Sequence, residues 1–165
     1  MKKILTAVVF SLIIAILTAP ALQASNISVV IVTDDEHVRG DIYTYVDFPN
    51  QQPVIINGVT LVPVRPVFEA LGFEVEWSAE TRTVVLVNFD VRGNRFVISI
   101  GIGDDYFTIY DDDSSGYGYF PLDVQAQIIN GSTMIPLRPV LEALGYGVEW
   151  YSGNNIEIIA HIARF

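Results

Sequence analysis

Between Gly103 and Asp123 the chain reads GDDYFTIYDDDSSGYGYFPLD, its densest run of groups that could do chemistry. Asp111, Asp113, Ser115 and Gly116 match the opening D-x-D-x-S-G of a calcium loop. In such a loop oxygen ligands at alternate positions converge on one hard cation, and the glycine permits the sharp turn. The twelfth position, however, is Leu122 in place of glutamate, and Asp123 stands one place late. Two expectations follow: a calcium ion held by Asp111, Asp113, Ser115 and Asp123, with Asp104 or Asp105 as further ligands, or a plain solvated hairpin tip. The same stretch holds Tyr106, Tyr110, Tyr117 and Tyr119. On a strand Tyr106 and Tyr110 share one face while Phe107 and Ile109 take the other, which is the natural core side. The tyrosines then either lie along their own sheet or form a binding surface for a glycan or a protein.

Other chemistries find fewer groups. There is no cysteine, so thiol nucleophiles, thiolate ligands and disulfides are excluded. His37, His161 and Met134 are the remaining imidazole and thioether groups beyond Ala24, too few for a copper or zinc site, and copper is not expected. No Gly-x-Ser-x-Gly elbow is present, and carboxylates are so abundant that their presence alone discriminates nothing. The expectation is a protein that is not an enzyme.

The elements that must position these groups are written twice. Ile55 to Trp77, IINGVTLVPVRPVFEALGFEVEW, returns as Ile128 to Trp150, IINGSTMIPLRPVLEALGYGVEW, with 16 of 23 positions identical. Such agreement indicates an internal duplication. In each copy Asn-Gly between apolar runs predicts a tight hairpin. Val64, Val67, Phe68 and Leu71, like Leu137, Val140, Leu141 and Leu144, fall at i, i+3, i+4 and i+7 and predict one apolar stripe on a short helix. Pro66 and Pro139 fit only its first turn, and Gly72 and Gly145 supply its left-handed stop. Alternating Val-Glu-Trp strands follow, then β-branched strands at Thr83 to Val87 and Ile156 to Ile159, with further strands at Arg95 to Gly101 and Tyr106 to Tyr110. The predicted fold class is α+β: two repeated units of mostly antiparallel strands, each with one short helix, over about 42–88 and 106–160. Within them Arg65 and Arg138 are expected to pair with Glu69 and Glu142 four positions on, and with Glu76 and Glu149 on the next strand, more than to clamp a ligand. Trp77 and Trp150 are expected as core anchors more than as sugar platforms.

Lys2 and Lys3 precede an apolar run, Ile4 to Leu17, and Pro20 with small residues beyond it. The run is shorter than the ~20 residues of a membrane-spanning helix and has the anatomy of an export signal. Residues 1–24 are expected to be removed after Ala24, with a cut after Ala21 as the alternative, leaving residues 25–165 as one domain. The mature chain then carries 7 arginines against 19 carboxylates, a net charge of −12. That balance argues against nucleic acid and against direct membrane binding after signal cleavage.

Taken together, the Asn-Gly, Pro-x-Arg, Glu-Ala-Leu-Gly and Val-Glu-Trp elements of both copies resemble the copper amine oxidase N-terminal-like domain, a duplicated module of exported bacterial proteins. The resemblance runs from about Ile42 to Ile159. It implies an accessory module, since that domain lies apart from the catalytic domain of the oxidases, and members often accompany hydrolase, protease or cell-wall-binding domains. Oxidase chemistry would need histidine ligands for copper and a tyrosine following asparagine, and none of the eight tyrosines does so. Two functions are therefore expected: an exported, non-catalytic interaction module, secreted or at the cell envelope, whose partner is an unknown protein or cell-wall polysaccharide; or a calcium-dependent structural or adhesive domain ordered through residues 104–123.

Overall fold

The structure, a computed structural model, describes residues 27–34, 41–90, 92–112, 117–151 and 154–160. Its first strands are β1 (Ser28–Asp34), a β-branched run, and β2 (Asp41–Val46). Strands β3 (Val54–Ile56) and β4 (Val59–Pro63) follow, joined through Asn57 and Gly58 at φ 53° and 80°. Two successive positive φ values make the turn whose twist matches that of a hairpin, which is why Asn-Gly stands there.

Helix α1 (Val64–Ala70) begins directly after Pro63 and buries Val64, Val67 and Phe68. Gly72 at φ 86° ends it, with the Phe73 amide donating to the Phe68 carbonyl at 2.9 Å and the Gly72 amide to that of Glu69 at 3.0 Å. This reversal satisfies carbonyls that the helix itself leaves open. The chain continues as β5 (Glu74–Ser78), β6 (Thr83–Phe89), β7 (Arg95–Gly101), β8 (Tyr106–Asp111) and β9 (Tyr117–Pro121). Then come β10 (Gln127–Ile129), β11 (Ser132–Pro136), α2 (Leu137–Ala143), β12 (Gly147–Tyr151) and β13 (Asn155–Ala160). Asn130 and Gly131, at φ 49° and 80°, turn the β10–β11 hairpin, and Gly145 at φ 81° ends α2.

The fold is α+β and mostly strand. Sheet A has the order β12-β13-β1-β2, sheet B β10-β11-β4-β3, and sheet C β5-β6-β7-β8-β9. All neighbours are antiparallel except β1 and β13, which run parallel with Ser28 opposite Asn155. The sheets run across the division expected at 42–88 and 106–160. Strand β2 joins the sheet of β12 and β13, while β8 joins the sheet of β5 and β6. The physical reason is that a two-stranded hairpin is marginal by itself. Strands β7, β8 and β9 complete the sheet of β5–β6, and the β1–β2 pair completes that of β12–β13.

In sheet B, β4 and β11 pair with Leu61 opposite Pro136, Val62 opposite Ile135 and Pro63 opposite Met134. Ile135 is the residue that matches Val62 when the two stretches are aligned, so each stretch meets its own counterpart across this seam. One large core takes Val29 and Ile31 from sheet A, Val62 and Ile135 from sheet B, both helices, and Leu86, Ile98, Ile100 and Phe107 from sheet C. Val54, Leu61 and Met134 form a smaller cluster.

The β6–β7 turn is held by Asp90, whose Oδ1 accepts from the Arg92 and Asn94 amides, both at 2.8 Å, and whose Oδ2 accepts from the Asn94 side chain at 3.1 Å. Partial burial raises its carboxyl, but these bonds and the Arg92 charge outweigh that and hold it below the usual aspartate range. A depressed carboxyl contributes stability above its unfolded-state pKa and loses it as pH falls through the folded one. Asp90→Ala is expected to lower the melting temperature at neutral pH. In thermal scans its deficit against wild type should shrink as pH drops below about 4.

Candidate functional site

Two clefts are lined by the helices, the edge strands β5 and β12 and the β3–β4 and β10–β11 hairpins. Arg65 and Glu69 project from α1 with Nη1 to Oε1 at 2.7 Å, both side chains about half exposed. Arg138 and Glu142 repeat this on α2 at 2.8 Å. Such exposed i,i+4 pairs add a few tenths of a kcal/mol to a helix, roughly 0.3–0.5, so stability alone gives them little weight.

The tryptophans are not the core anchors expected from sequence. Trp77 is 41% and Trp150 40% exposed. Both point to the core side of their sheets, opposite the buried Val84 and Ile156. Yet β5 is the outer strand of sheet C and β12 that of sheet A, with no further strand beside either to cover the ring. Each indole is left as one wall of a cleft.

The larger cleft has a volume of about 790 Å³. Arg65 and Pro66 of α1 and Val75 and Trp77 of β5 form one side, and Ile128, Gly131, Ser132 and Thr133 of the β10–β11 hairpin face them. Residues 47–51 close an end. The smaller cleft, about 390 Å³, sets Arg138, Pro139, Val148 and Trp150 against Ile55, Gly58, Val59 and Thr60 of the β3–β4 hairpin, with Asp123 at its margin. Every residue lining the smaller cleft corresponds, in the alignment of the two stretches, to a residue lining the larger one, Asp123 matching Asn50. The seam between β4 and β11 explains this, because it carries each hairpin tip to the helix of the other stretch. Ile55 and Ile128, 48% and 45% exposed, add apolar surface at the two clefts.

The acidic stretch is distributed otherwise than a calcium loop requires. Asp111 ends β8, next to the turn that leads to β9. Asp123 follows β9 at the opposite end of the same hairpin, where Tyr106 pairs with Pro121. Five residues of strand separate the two ends, roughly 16 Å at the usual rise, so Asp123 cannot share an ion with Asp111. Asp104 and Asp105 lie at that far end too, the Asp105 carbonyl accepting from the Leu122 amide at 2.7 Å. Asp113, Ser115 and both histidines fall outside the described residues. Among the described residues no three acidic or imidazole groups gather as a metal site would need.

Tyr106, Tyr110 and Tyr119 share the outer face of the β8–β9 hairpin, while Phe107 stacks on Phe120 beneath it at 5.2 Å. The Tyr117 side chain lies outside the described residues. Tyr106 and Tyr119 lean on each other at 5.7 Å, with Tyr119 71% exposed. The outer face of sheet A carries further tyrosines. There the Tyr151 hydroxyl donates to Glu149 Oε2 at 2.8 Å, and this bond, with the charges of Glu149 and Glu157, pushes its phenol above the usual range.

The family described as the copper amine oxidase N-terminal domain matches residues 43–159. The chain belongs to that family. A protein of Brevibacillus choshinensis named "Protease inhibitor" is 31% identical over 84 residues, which cover 51% of this chain and 22% of that protein. The chain thus spans about a fifth of that relative's length. No solved structure matches. The matched range of the family contains both clefts and the seam that builds them. Sequence reasoning had singled out Arg65, Glu69, Trp77 and their counterparts as structural, and it missed Ile55, Ile128 and the hairpin tips. The available signal was that the duplicated identities include solvent-facing positions, which packing does not require.

Proposed function

We propose that this member of the family is an exported, non-catalytic interaction module, built from two copies of one unit, that acts at the cell wall or envelope and binds a protein or polysaccharide in its paired clefts. The observation that carries the reading is the pair of half-exposed indoles, each set in a cleft of matching composition. Exposed aromatic surface beside polar groups marks binding sites on soluble domains. The apolar N-terminal run supports export, and the accessory place of the family's namesake domain supports binding over chemistry. The "Protease inhibitor" name of the relative supports a protein among the candidate partners.

The test is sedimentation of the mature chain, residues 25–165, with isolated bacterial cell walls. Wild type is expected in the pellet and the Trp77→Ala plus Trp150→Ala variant in the supernatant, with circular dichroism showing both folded. Wild type remaining in the supernatant would overturn the envelope reading, and equal pelleting of both would remove the clefts from it. The calcium alternative rests on Asp111, Asp113 and Ser115 alone, without Asp123. A calcium-dependent rise in melting temperature, abolished by Asp111→Ala, would establish it.

A further inference from the structure

We propose that each cleft is a subsite for a neutral pyranose chain, with the indole of Trp77 or Trp150 as the stacking platform; this deepens the interaction-module reading and rests on it. The hairpin that lines each cleft brings small and hydroxyl-bearing residues, Gly131 and Thr133 or Gly58 and Thr60, beside the half-exposed Ile128 or Ile55. A ring on the indole would therefore meet both hydroxyl and apolar surface from the hairpin. An indole offers a broad apolar face to the C–H side of a pyranose, while the hydroxyls at the ring's edge need donors and acceptors in one plane. In the larger cleft the Arg65–Glu69 pair at 2.7 Å supplies both kinds on a planar guanidinium and its carboxylate, and in the smaller one Arg138, held by Glu142 at 2.8 Å, supplies donors and Asp123 acceptors. In the larger cleft Asn50, Gln51 and Thr133 add amide and hydroxyl groups that can donate and accept.

Charge selects the class of glycan. Asp47, Glu69 and Glu76 line the larger cleft against a single arginine that is already paired, and Asp123 lines the smaller. An anionic polymer would meet unbalanced carboxylates, so a neutral chain is favoured over a phosphate- or uronate-bearing one. Both volumes, about 790 and 390 Å³, lie in the range of sites for small organic ligands. Residues 47–51 line the Trp77 cleft alone, and the side-chain amides of Asn50 and Gln51, which the other cleft lacks, make it the tighter of the two.

The chain's two tryptophans are these two, so intrinsic fluorescence reports on the clefts alone. The experiment titrates the mature chain with chitotetraose and cellotetraose as neutral probes and with tetragalacturonate as the anionic one. The expected result is a saturable change with a neutral probe, two sites per chain, and little response to tetragalacturonate. Trp77→Phe and Trp150→Phe each leave one reporting indole, and binding reported by Trp77 should be the tighter. Replacing either indole by alanine should weaken its own site about tenfold, the scale of one aromatic stacking contact, as read by titration calorimetry. No saturable change with neutral probes at millimolar concentration would overturn the inference, as would preference for tetragalacturonate. If the chain responds to none of the three probes yet pellets with cell walls, the interaction reading stands and its partner is a protein; preference for tetragalacturonate with pelleting would make the partner an anionic wall polymer. Because the phenylalanine variants keep an aromatic ring, the titration stays decisive even where an alanine variant fails to fold.

Discussion

Ile31→Asp is expected to abolish cooperative unfolding at neutral pH. Strand β1 lies inside sheet A, between β13 and β2, and Ile31 is 3% exposed with Ile158 and Thr44 as its cross-strand partners. Its neighbour on the same face, Val29, is 1% exposed, and Ile158 is fully buried. A carboxylate placed there loses the burial of the isoleucine, worth about 2–5 kcal/mol by analogy with large-to-small core changes. It also meets no cation, since the strands of sheet A carry no lysine or arginine. An uncompensated buried charge costs several kcal/mol more. Together these consume most or all of the roughly 5–15 kcal/mol that stabilises an ordinary domain. Tyr45→Asp is the control, because Tyr45 on β2 is 75% exposed and its loss should cost within about 1 kcal/mol. Urea unfolding followed by far-ultraviolet circular dichroism distinguishes the two. An Ile31→Asp midpoint near that of wild type would mean that β1 has no place in the core.

That strand also marks where local reading of the chain stops. Signals carried by a few adjacent residues were legible: Asn57-Gly58 and Asn130-Gly131 adopt the positive φ values that Asn-Gly suggests, and the apolar stripe with Pro66 and Gly72 delimits α1. Partnership across the sheets was not, because nothing near Ser28 indicates that it will lie parallel beside Asn155. Depth was hidden for a related reason. Alternation places Trp77 on the core side of β5, but only the sheet order reveals that β5 is an outer strand. For Asp111 and Asp123, proximity in sequence misled, since a hairpin sends residues close in the chain to its opposite ends. The clefts were least legible, as the helix and the hairpin tip that face each other come from different copies.

Phe68→Ala should cost about 3–5 kcal/mol, and Leu141→Ala, its counterpart in the second copy, about 2–5 kcal/mol. Both side chains are fully buried in the one large core. Phe68 is the larger loss because its ring meets Phe73 edge-on at 5.4 Å and Phe73 meets Phe96 in the same way at 5.7 Å. Truncation therefore removes an aromatic contact as well as apolar volume. In the other copy the place of Phe73 is taken by the half-buried Tyr146, whose phenol is raised above its usual range by burial. The form of the unfolding curve matters as much as the midpoint. Val62 and Ile135 join the two copies at the seam of sheet B, and both belong to the core that holds Phe68 and Leu141. Either substitution should accordingly shift a single transition, with the denaturant dependence of stability unchanged. A two-step curve in which half the signal keeps the wild-type midpoint would mean that the copies fold separately. The two stretches would then be separate folding units; a single shifted transition makes them one, because each supplies the hairpin tip and part of the core that the other lacks.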